Sequence, residues 1–209
     1  MSRTITRLFD NFADAERAVA ELERMGIPHR DISLIAGNAD KAHDHRGPYD
    51  DGHTAGDHAA RDAGKGAATG GAIGGVGGLL AGLGLLAIPG LGPIVAAGWL
   101  ASTLVGAGVG AAAGGAAGGL VGALTHAGES DENAQVYAEG VRRGGTLVSV
   151  KVDDSQAAKV ESALNSFRAV DAATRGAAYR QSGWSRFDDT APAYTVEEIE
   201  VERSRYTVP

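Results

Sequence analysis

The stretch that decides the fold runs from Gly66 to Thr125: GAATGGAIGGVGGLLAGLGLLAIPGLGPIVAAGWLASTLVGAGVGAAAGGAAGGLVGALT. Its sixty residues include no charged residue, and glycine recurs at every fourth position in two registers. A spacing of four places residues on one side of a helix, and small residues there let two helix backbones approach closely. The stretch therefore predicts an α-helical hairpin with a glycine zipper on each arm. The predicted helix-packing glycines are Gly70, Gly74, Gly78 and Gly82 on the first arm and Gly106, Gly110, Gly114 and Gly118 on the second.

Between the two registers lies a strong turn sequence, Ile-Pro-Gly-Leu-Gly-Pro at 88–93. Proline presets the backbone angle φ that an early turn position needs, and glycine adopts positive φ at little cost. We therefore expect four residues to form the turn of the hairpin: Pro89, Gly90, Gly92 and Pro93.

The predicted hairpin has to be shielded from water by lipid or by other protein, because each glycine destabilises a water-exposed helix by about 1 kcal/mol relative to alanine. Lipid suits the first arm, since residues 66–88 would span about 34 Å as a helix, against a hydrocarbon core of about 30 Å. Arg61 and Lys65 precede this arm, which favours both termini inside, at the cytoplasmic face of the inner membrane. Residues 106–119 are mostly Gly and Ala, which favours burial in a homo-oligomer instead. A disordered glycine-rich linker is the third possibility.

The composition of the chain excludes several classes of function. The 209 residues carry a net charge of −7 at pH 7, which argues against nucleic-acid binding because that needs a basic patch. The absence of cysteine excludes disulfides, thiol catalysis and thiolate metal sites. Residues 1–7 lack the apolar stretch of a secretory signal, so a cytoplasmic location is the alternative to the membrane face.

The residues before the hairpin predict a β-α-β unit. Residues 4–9 have the pattern of a short strand, and Asn11 is a good first cap for a helix. Gly26 and Pro28 end that helix, and residues 31–36 form a second predicted strand. The apolar face of the helix consists of Ala15, Ala18, Val19, Leu22 and Met25.

The residues after the hairpin predict an α-β-α-β unit. A short helix ends at Gly144 and Gly145, residues 146–152 are the clearest strand, and a second helix begins near Asp153. A weaker strand is predicted at 170–174. Two such halves suit an α+β, ferredoxin-like domain, a four-stranded antiparallel sheet with helices on one face, split by the inserted Gly/Ala-rich hairpin.

The sequence divides into five segments. They are the first half of the domain at 1–37, a polar His/Asp linker at 38–63, the hairpin at 64–128, the second half at 129–176 and an acidic C-terminal extension at 177–209. In the extension, Ile199 and Val201 alternate with glutamates, which predicts a short strand at a sheet edge, with a disordered acidic tail as the alternative. We expect this tail to have a protein partner of unknown identity.

Candidate metal and phosphate sites are weak in this sequence. The linker contains His43, His45, His53 and His58 among aspartates, and imidazole with carboxylate can bind zinc, nickel or copper. However, no two of these histidines have helical ligand spacing, so we expect a solvated linker and no metal site. The triplet at 64–66, Gly-Lys-Gly, lacks the Ser or Thr and the preceding strand of a phosphate-binding loop.

Two charged pairs in the second half have simple structural explanations. Arg142 and Arg143 precede a Gly-Gly pair, where they favour the negative end of their own helix, although they can also contact phosphate or an acidic partner. Asp153 and Asp154 are better explained as a helix cap than as paired catalytic carboxylates. No nucleophile, base and orienting group come together in the sequence, so we expect neither enzymatic activity nor a cofactor.

Five segments carry a resemblance to a known family. They are 8–10 (LFD), 13–19 (ADAERAV), 87–93 (AIPGLGP), 137–145 (YAEGVRRGG) and 147–150 (LVSV). Residues 4–175 resemble the bacterial general stress proteins of the heat-induced YflT type. The resemblance implies a stress-linked protein without catalysis, and it supplies no catalytic residues.

The sequence therefore leads to one functional expectation and one alternative. We expect a non-enzymatic general stress-response protein that self-associates through the glycine-zipper hairpin and associates with the inner membrane. The alternative is a soluble oligomeric, ferredoxin-like sensor of small molecules, with the hairpin buried in the oligomer.

Overall fold

The computed structural model describes residues 2–39, 84–104 and 119–206. They form a mixed α+β structure in which helices pack on one antiparallel sheet. The strands are β1 (Ser2–Phe9), β2 (Ile32–Gly37), β3 (Gly84–Ile88), β4 (Gly92–Gly98) and β5 (Thr146–Asp153). The helices are α1 (Phe12–Arg24), α2 (Gly119–His126), α3 (Asp131–Arg142), α4 (Asp154–Ser166), α5 (Ala172–Gln181) and α6 (Val196–Tyr206), with a 3₁₀ turn at His29–Asp31 and a further helical segment at 99–104.

The sheet joins the two flanks of the sequence. Its strand order is β1-β5-β2-β4-β3, and all neighbouring strands are antiparallel. β5, from the second flank, lies between β1 and β2 of the first, with Ile5 and Ile32 both opposite Val150. Because each flank completes the other's sheet, the two flanks fold together, and the predicted mixed α+β class is confirmed.

Both faces of this sheet are buried. On β2, Leu34 packs with residues of α1 and α4, whereas its neighbour Ile35 points to the opposite face and packs with residues of α2, α3 and α5. The prediction of helices on one face only was therefore wrong. β2 is a nearly continuous apolar run with all six residues buried, and strands of that kind need cover on both sides.

The local helix ends agree with the sequence prediction. The backbone N–H of Ala13 donates to Asn11 Oδ1 at 2.8 Å, so Asn11 caps α1. Gly26, just beyond α1, has φ +85°, which favours glycine and ends the helix. α4 begins at Asp154 as expected, although the preceding Asp153 makes no side-chain capping hydrogen bond.

Residues 84–98 form a β-hairpin, which corrects the prediction of helical arms there. β3 pairs with β4 from Gly84 opposite Ala96 to Ile88 opposite Gly92. The chain turns at residues 89–91 between two strands, whereas Gly92 and Pro93, which were also predicted in the turn, are the first residues of β4. Gly90 and Gly92 have φ values of +75° and +77°. The bulky apolar residues flanking the turn suit a strand as well as a helix, and β2 offers an edge with which β4 pairs. The eight predicted zipper glycines and the four linker histidines lie outside the described residues.

The β-hairpin also shortens the arm that was predicted to span lipid. With a strand beginning at Gly84, the uncharged residues before it run only from 66 to 83. Those 18 residues would reach about 27 Å as a helix, slightly less than a hydrocarbon core of about 30 Å. Within the described ranges, no helix combines the length and the apolar character needed to cross a membrane.

The last two predicted strands are helices. Val170 makes only a single bridge to Leu8, because the Asp171 carboxylate accepts from the Thr174 backbone N–H at 2.8 Å and starts α5 at once. The hydrogen bond from Thr174 also holds the pKa of Asp171 below its ordinary value, against the opposing effect of burial. α5 therefore continues beyond the predicted boundary at 176 to Gln181.

The C-terminal extension contains helix α6 instead of the predicted strand or a disordered tail. Its N-terminus is a reciprocal capping box: Glu198 N–H donates to Thr195 Oγ1 at 3.3 Å, and Thr195 N–H donates to Glu198 Oε2 at 2.8 Å. The capping box outweighs the alternation of Ile199 and Val201 with glutamates, since Ile199 is buried while Val201 points to solvent.

Candidate functional site

A buried group of charged side chains lies where the C-terminal extension meets the domain. We call it the arginine cluster. It consists of Asp10 after β1, Glu139 and Arg142 on α3, Arg143 at the end of α3, Arg175 on α5 and Glu202 on α6.

The centre of the cluster forms at the end of α3. Glu139 lies three and four residues before the two arginines, a spacing that brings side chains together on one face of a helix. Arg142 Nη2 donates to Glu139 Oε1 at 3.0 Å, and Arg143 Nε donates to the same oxygen at 2.6 Å. The Glu139 side chain has no exposed surface. The arginines therefore lie at the end of their helix as predicted, and they also bind acidic partners within the chain.

Arg143 links α3 to the C-terminal helix. Its Nη1 donates to Glu202 Oε1 at 3.0 Å, across 59 residues of sequence. The side chain of Arg143 is 8% exposed, and that of Glu202 is 7% exposed. Burial lowers the pKa of Arg143, but the hydrogen bond to Glu139 and the neighbouring charges outweigh burial and raise the pKa above its ordinary value. The buried guanidinium therefore stays charged.

Arg175 forms a second buried ion pair beside the first. Its Nη2 donates to Asp10 Oδ2 at 2.6 Å, and its side chain is only 3% exposed. The guanidinium lies 3.7 Å from the ring centroid of Tyr206 and 5.8 Å from that of Tyr179. Arg143 lies 4.2 Å from the same Tyr179 ring, so one aromatic side chain contacts both cations.

Helix α6 packs against the Gly-Gly turn that follows α3. Gly144 has φ +86°, and a Cβ atom there would overlap Cγ2 of Ile199. The carbonyl oxygen of Gly144 accepts from Arg203 Nη2 at 3.0 Å. A side chain at position 144 would therefore displace α6 from the arginine cluster.

The loop from α5 to α6 packs against the turn of the β3–β4 hairpin. A Cβ atom at Gly90 would lie 2.6 Å from Asp189 Cα, and one at Gly92 would lie 2.7 Å from the Cβ of Ala193. The extension therefore contacts both the hairpin turn and the arginine cluster. The positive φ and the close approach of the loop both favour glycine at these two positions.

A separate cleft of about 330 Å³ follows the outer edge of β1. The Tyr137 hydroxyl at its wall donates to the Thr6 carbonyl oxygen at 2.7 Å and accepts from the Ala172 N–H at 3.2 Å. Burial raises the pKa of Tyr137, so this phenol stays neutral. Charges of both signs line the cleft, and Arg3 already pairs with Glu161 at 3.0 Å. The cleft therefore shows no preference for one sign of charge.

Guanidinium groups are suited to binding carboxylate and phosphate oxygens, and the arginine cluster is the place in the described structure where several of them meet. Within the described residues, no group of three or more His, Asp or Glu side chains is arranged to hold a metal. No family model, no curated protein and no solved structure matches this chain.

Two of the six members of the cluster, Arg142 and Arg143, were noticed in the sequence, whereas the carboxylates Asp10 and Glu139 and the partners on α5 and α6 were missed. The missed signal was the capping box at Thr195 and Glu198, which predicts a helix after it. On that helix Glu202 and Tyr206 share one face, so both residues point to the cluster.

Proposed function

We propose that this protein is a non-enzymatic, stress-linked protein that self-associates through its uncharged glycine-rich stretch. The observation that supports self-association best is strand β3, which ends the sheet with the uncharged sequence Gly-Leu-Leu-Ala-Ile. Leu85 on this strand is 49% exposed. Among the strands that the structure describes, none pairs with the outer edge of β3.

An edge strand of this kind favours pairing with another chain. Backbone N–H and C=O groups at the outer edge of a sheet are a template for a further strand, and protein edges usually carry lysine, proline or a bulge that prevents such pairing. β3 has no charged residue and no proline. Its first residue, Gly84, directly follows the glycine-rich residues 66–83, so one assembly would bury both features.

The proposal also includes a ferredoxin-like fold and a role in the stress response. The strand order places β5 between β1 and β2, and the single bridge from Val170 to Leu8 lies where a ferredoxin-like sheet has its fourth strand, which supports a ferredoxin-like arrangement. The stress role is supported by the resemblance of residues 4–175 to the general stress proteins. The alternative, a sensor of small molecules, would use the cleft along β1, and it stays a prediction.

The proposal also includes association with the cytoplasmic face of the inner membrane, with both termini inside. It is supported by the uncharged residues 66–83 after Lys65 and opposed by their limited reach of about 27 Å. Release of all the protein from membranes by an alkaline wash would count against insertion into lipid.

A charge on the edge strand tests self-association. We expect Leu85→Lys to weaken association about tenfold or more, equivalent to about 1.4 kcal/mol, because a buried lysine opposes pairing of β3 with another copy. The measurement is the mass of the full-length chain by light scattering over a dilution series.

The matched control is Val201→Lys, which changes another exposed apolar residue, 56% exposed, on α6. It should associate like the wild type. Equal masses for the wild type and Leu85→Lys at every concentration would show that the edge of β3 takes no part in assembly.

A further inference from the structure

We propose that the arginine cluster is a binding site for one oxyanion group, a carboxylate or a phosphate, and that Glu202 occupies this site as an internal ligand. Anion binding at this cluster would be a role additional to the proposed self-association, which uses strand β3. It gives the acidic extension a specific role, which is to hold the site closed until a competing anion displaces its carboxylate.

The charge balance of the cluster supports an anion site. Without α6, the domain contributes three guanidinium groups and two carboxylates to it, from Arg142, Arg143, Arg175, Asp10 and Glu139. One cation is therefore in excess, and it needs an anionic partner when the cluster is covered, because an uncompensated buried charge is unfavourable. The Glu202 carboxylate places a negative charge 3.0 Å from Arg143 Nη1, whereas the two arginines of the same helix, Arg203 and Arg205, donate to the Gly144 carbonyl oxygen and to the other oxygen of Glu202.

The two arginines that face α6, Arg143 and Arg175, are held in place by groups outside α6. Glu139 fixes Arg143 through Nε at 2.6 Å, and the Tyr179 ring lies 4.2 Å from the guanidinium carbon. Asp10 fixes Arg175 at 2.6 Å. Arg143 therefore presents Nη1 to an anion in the same orientation whether or not α6 is docked, and such preorganisation favours binding.

The internal ligand is attached by a small contact. Of the residues of α6, only Ile199 and Glu202 are buried. Of the two Glu202 oxygens, Oε1 faces the domain and Oε2 accepts from Arg205 of the same helix at 3.0 Å. An external oxyanion therefore has one carboxylate and one apolar side chain to displace, together with the Tyr206 ring on Arg175 and the hydrogen bond from Arg203 to the Gly144 carbonyl oxygen.

The oxyanion has two possible sources, a free anion or the acidic helix of a second copy. Removing the internal competitor tests both in the full-length protein. In Glu202→Ala, we expect inorganic phosphate or a synthetic peptide of residues 196–206 to raise the melting temperature at concentrations about tenfold lower than in the wild type. If only phosphate raises the melting temperature, the ligand is a free anion. If only the peptide does so, the ligand is the acidic helix of a second copy. If both do so, the site recognises the oxyanion chemistry that the two share.

Two further variants control this experiment. Glu200→Ala removes an exposed glutamate of the same helix, and it should respond like the wild type. Glu202→Gln removes the charge with little change of volume, and it replaces the alanine variant if that protein is poorly folded. Adding Arg143→Gln to either Glu202 variant should abolish the response. The proposal is overturned if the Glu202 variants respond no more strongly than the wild type, or if the response survives the loss of Arg143.

Discussion

Arg143→Met is expected to lower the free energy of unfolding by about 3–5 kcal/mol, because it removes one partner from buried ion pairs. Glu202 would lose its only partner from the domain side among the described ion pairs, and Glu139 would lose its 2.6 Å hydrogen bond. Methionine keeps much of the side-chain volume, so the loss reports on charge more than on packing. Denaturant unfolding of the full-length protein measures it.

The control for this prediction is Arg205→Ala, which removes the other cation bound to Glu202. Arg205 Nη1 donates to Glu202 Oε2 at 3.0 Å, the same length as the bond from Arg143, but the Arg205 side chain is 53% exposed. An exposed pair contributes less than about 1 kcal/mol. Equal losses for the two variants would contradict the description of Arg143 as the buried centre of the cluster.

Gly98→Ala is expected to lower the free energy of unfolding by about 2–5 kcal/mol. Gly98 has φ +84°, which costs a residue with a side chain about 1–2 kcal/mol. In addition, an added Cβ would overlap the carbonyl oxygen of Ile32 and would lie 2.8 Å from Ser33 Cα. Both are backbone atoms of β2. Backbone cannot rotate away, so β4 and β2 would have to separate, at a further cost of about 1–3 kcal/mol.

Gly26→Ala is the matched control, because it has the same backbone angle without the crowding. Its φ is +85°, and an added Cβ would meet no atom within 4 Å. Only the cost of the backbone conformation remains, about 1–2 kcal/mol. If thermal and denaturant unfolding show the same loss for both variants, the close approach of β4 to β2 at Gly98 is wrong.

The parts of the fold that could be predicted from the sequence are those with local causes. The β1-α1-β2 unit follows from period-two and helical spacing and from the Asn11 cap, and β5 follows from valine at every second position, 148, 150 and 152. The β3–β4 hairpin had no such local cause, because a short apolar run fits a strand and a helix equally well. What decided it is the pairing of β4 with β2, from Ser33 opposite Gly98 to Gly37 opposite Ile94, which joins distant segments.

Only two of the six residues of the arginine cluster were predicted, for a related reason. Arg142 and Arg143 stand next to each other in sequence and were noticed, but Arg143 is 59 residues from Glu202 and Arg175 is 165 residues from Asp10. No spacing rule covers such separations. The docking of α6 depends on the absence of a side chain at Gly144, which the sequence shows only as part of a Gly-Gly turn.

The most direct test of self-association is the mass of the full-length wild-type chain in detergent-free buffer, measured by light scattering after gel filtration. The chain has a mass of 21.2 kDa. Self-association predicts a stable multiple of this mass that falls toward the single-chain value on dilution. A mass of 21.2 kDa at every concentration would contradict it.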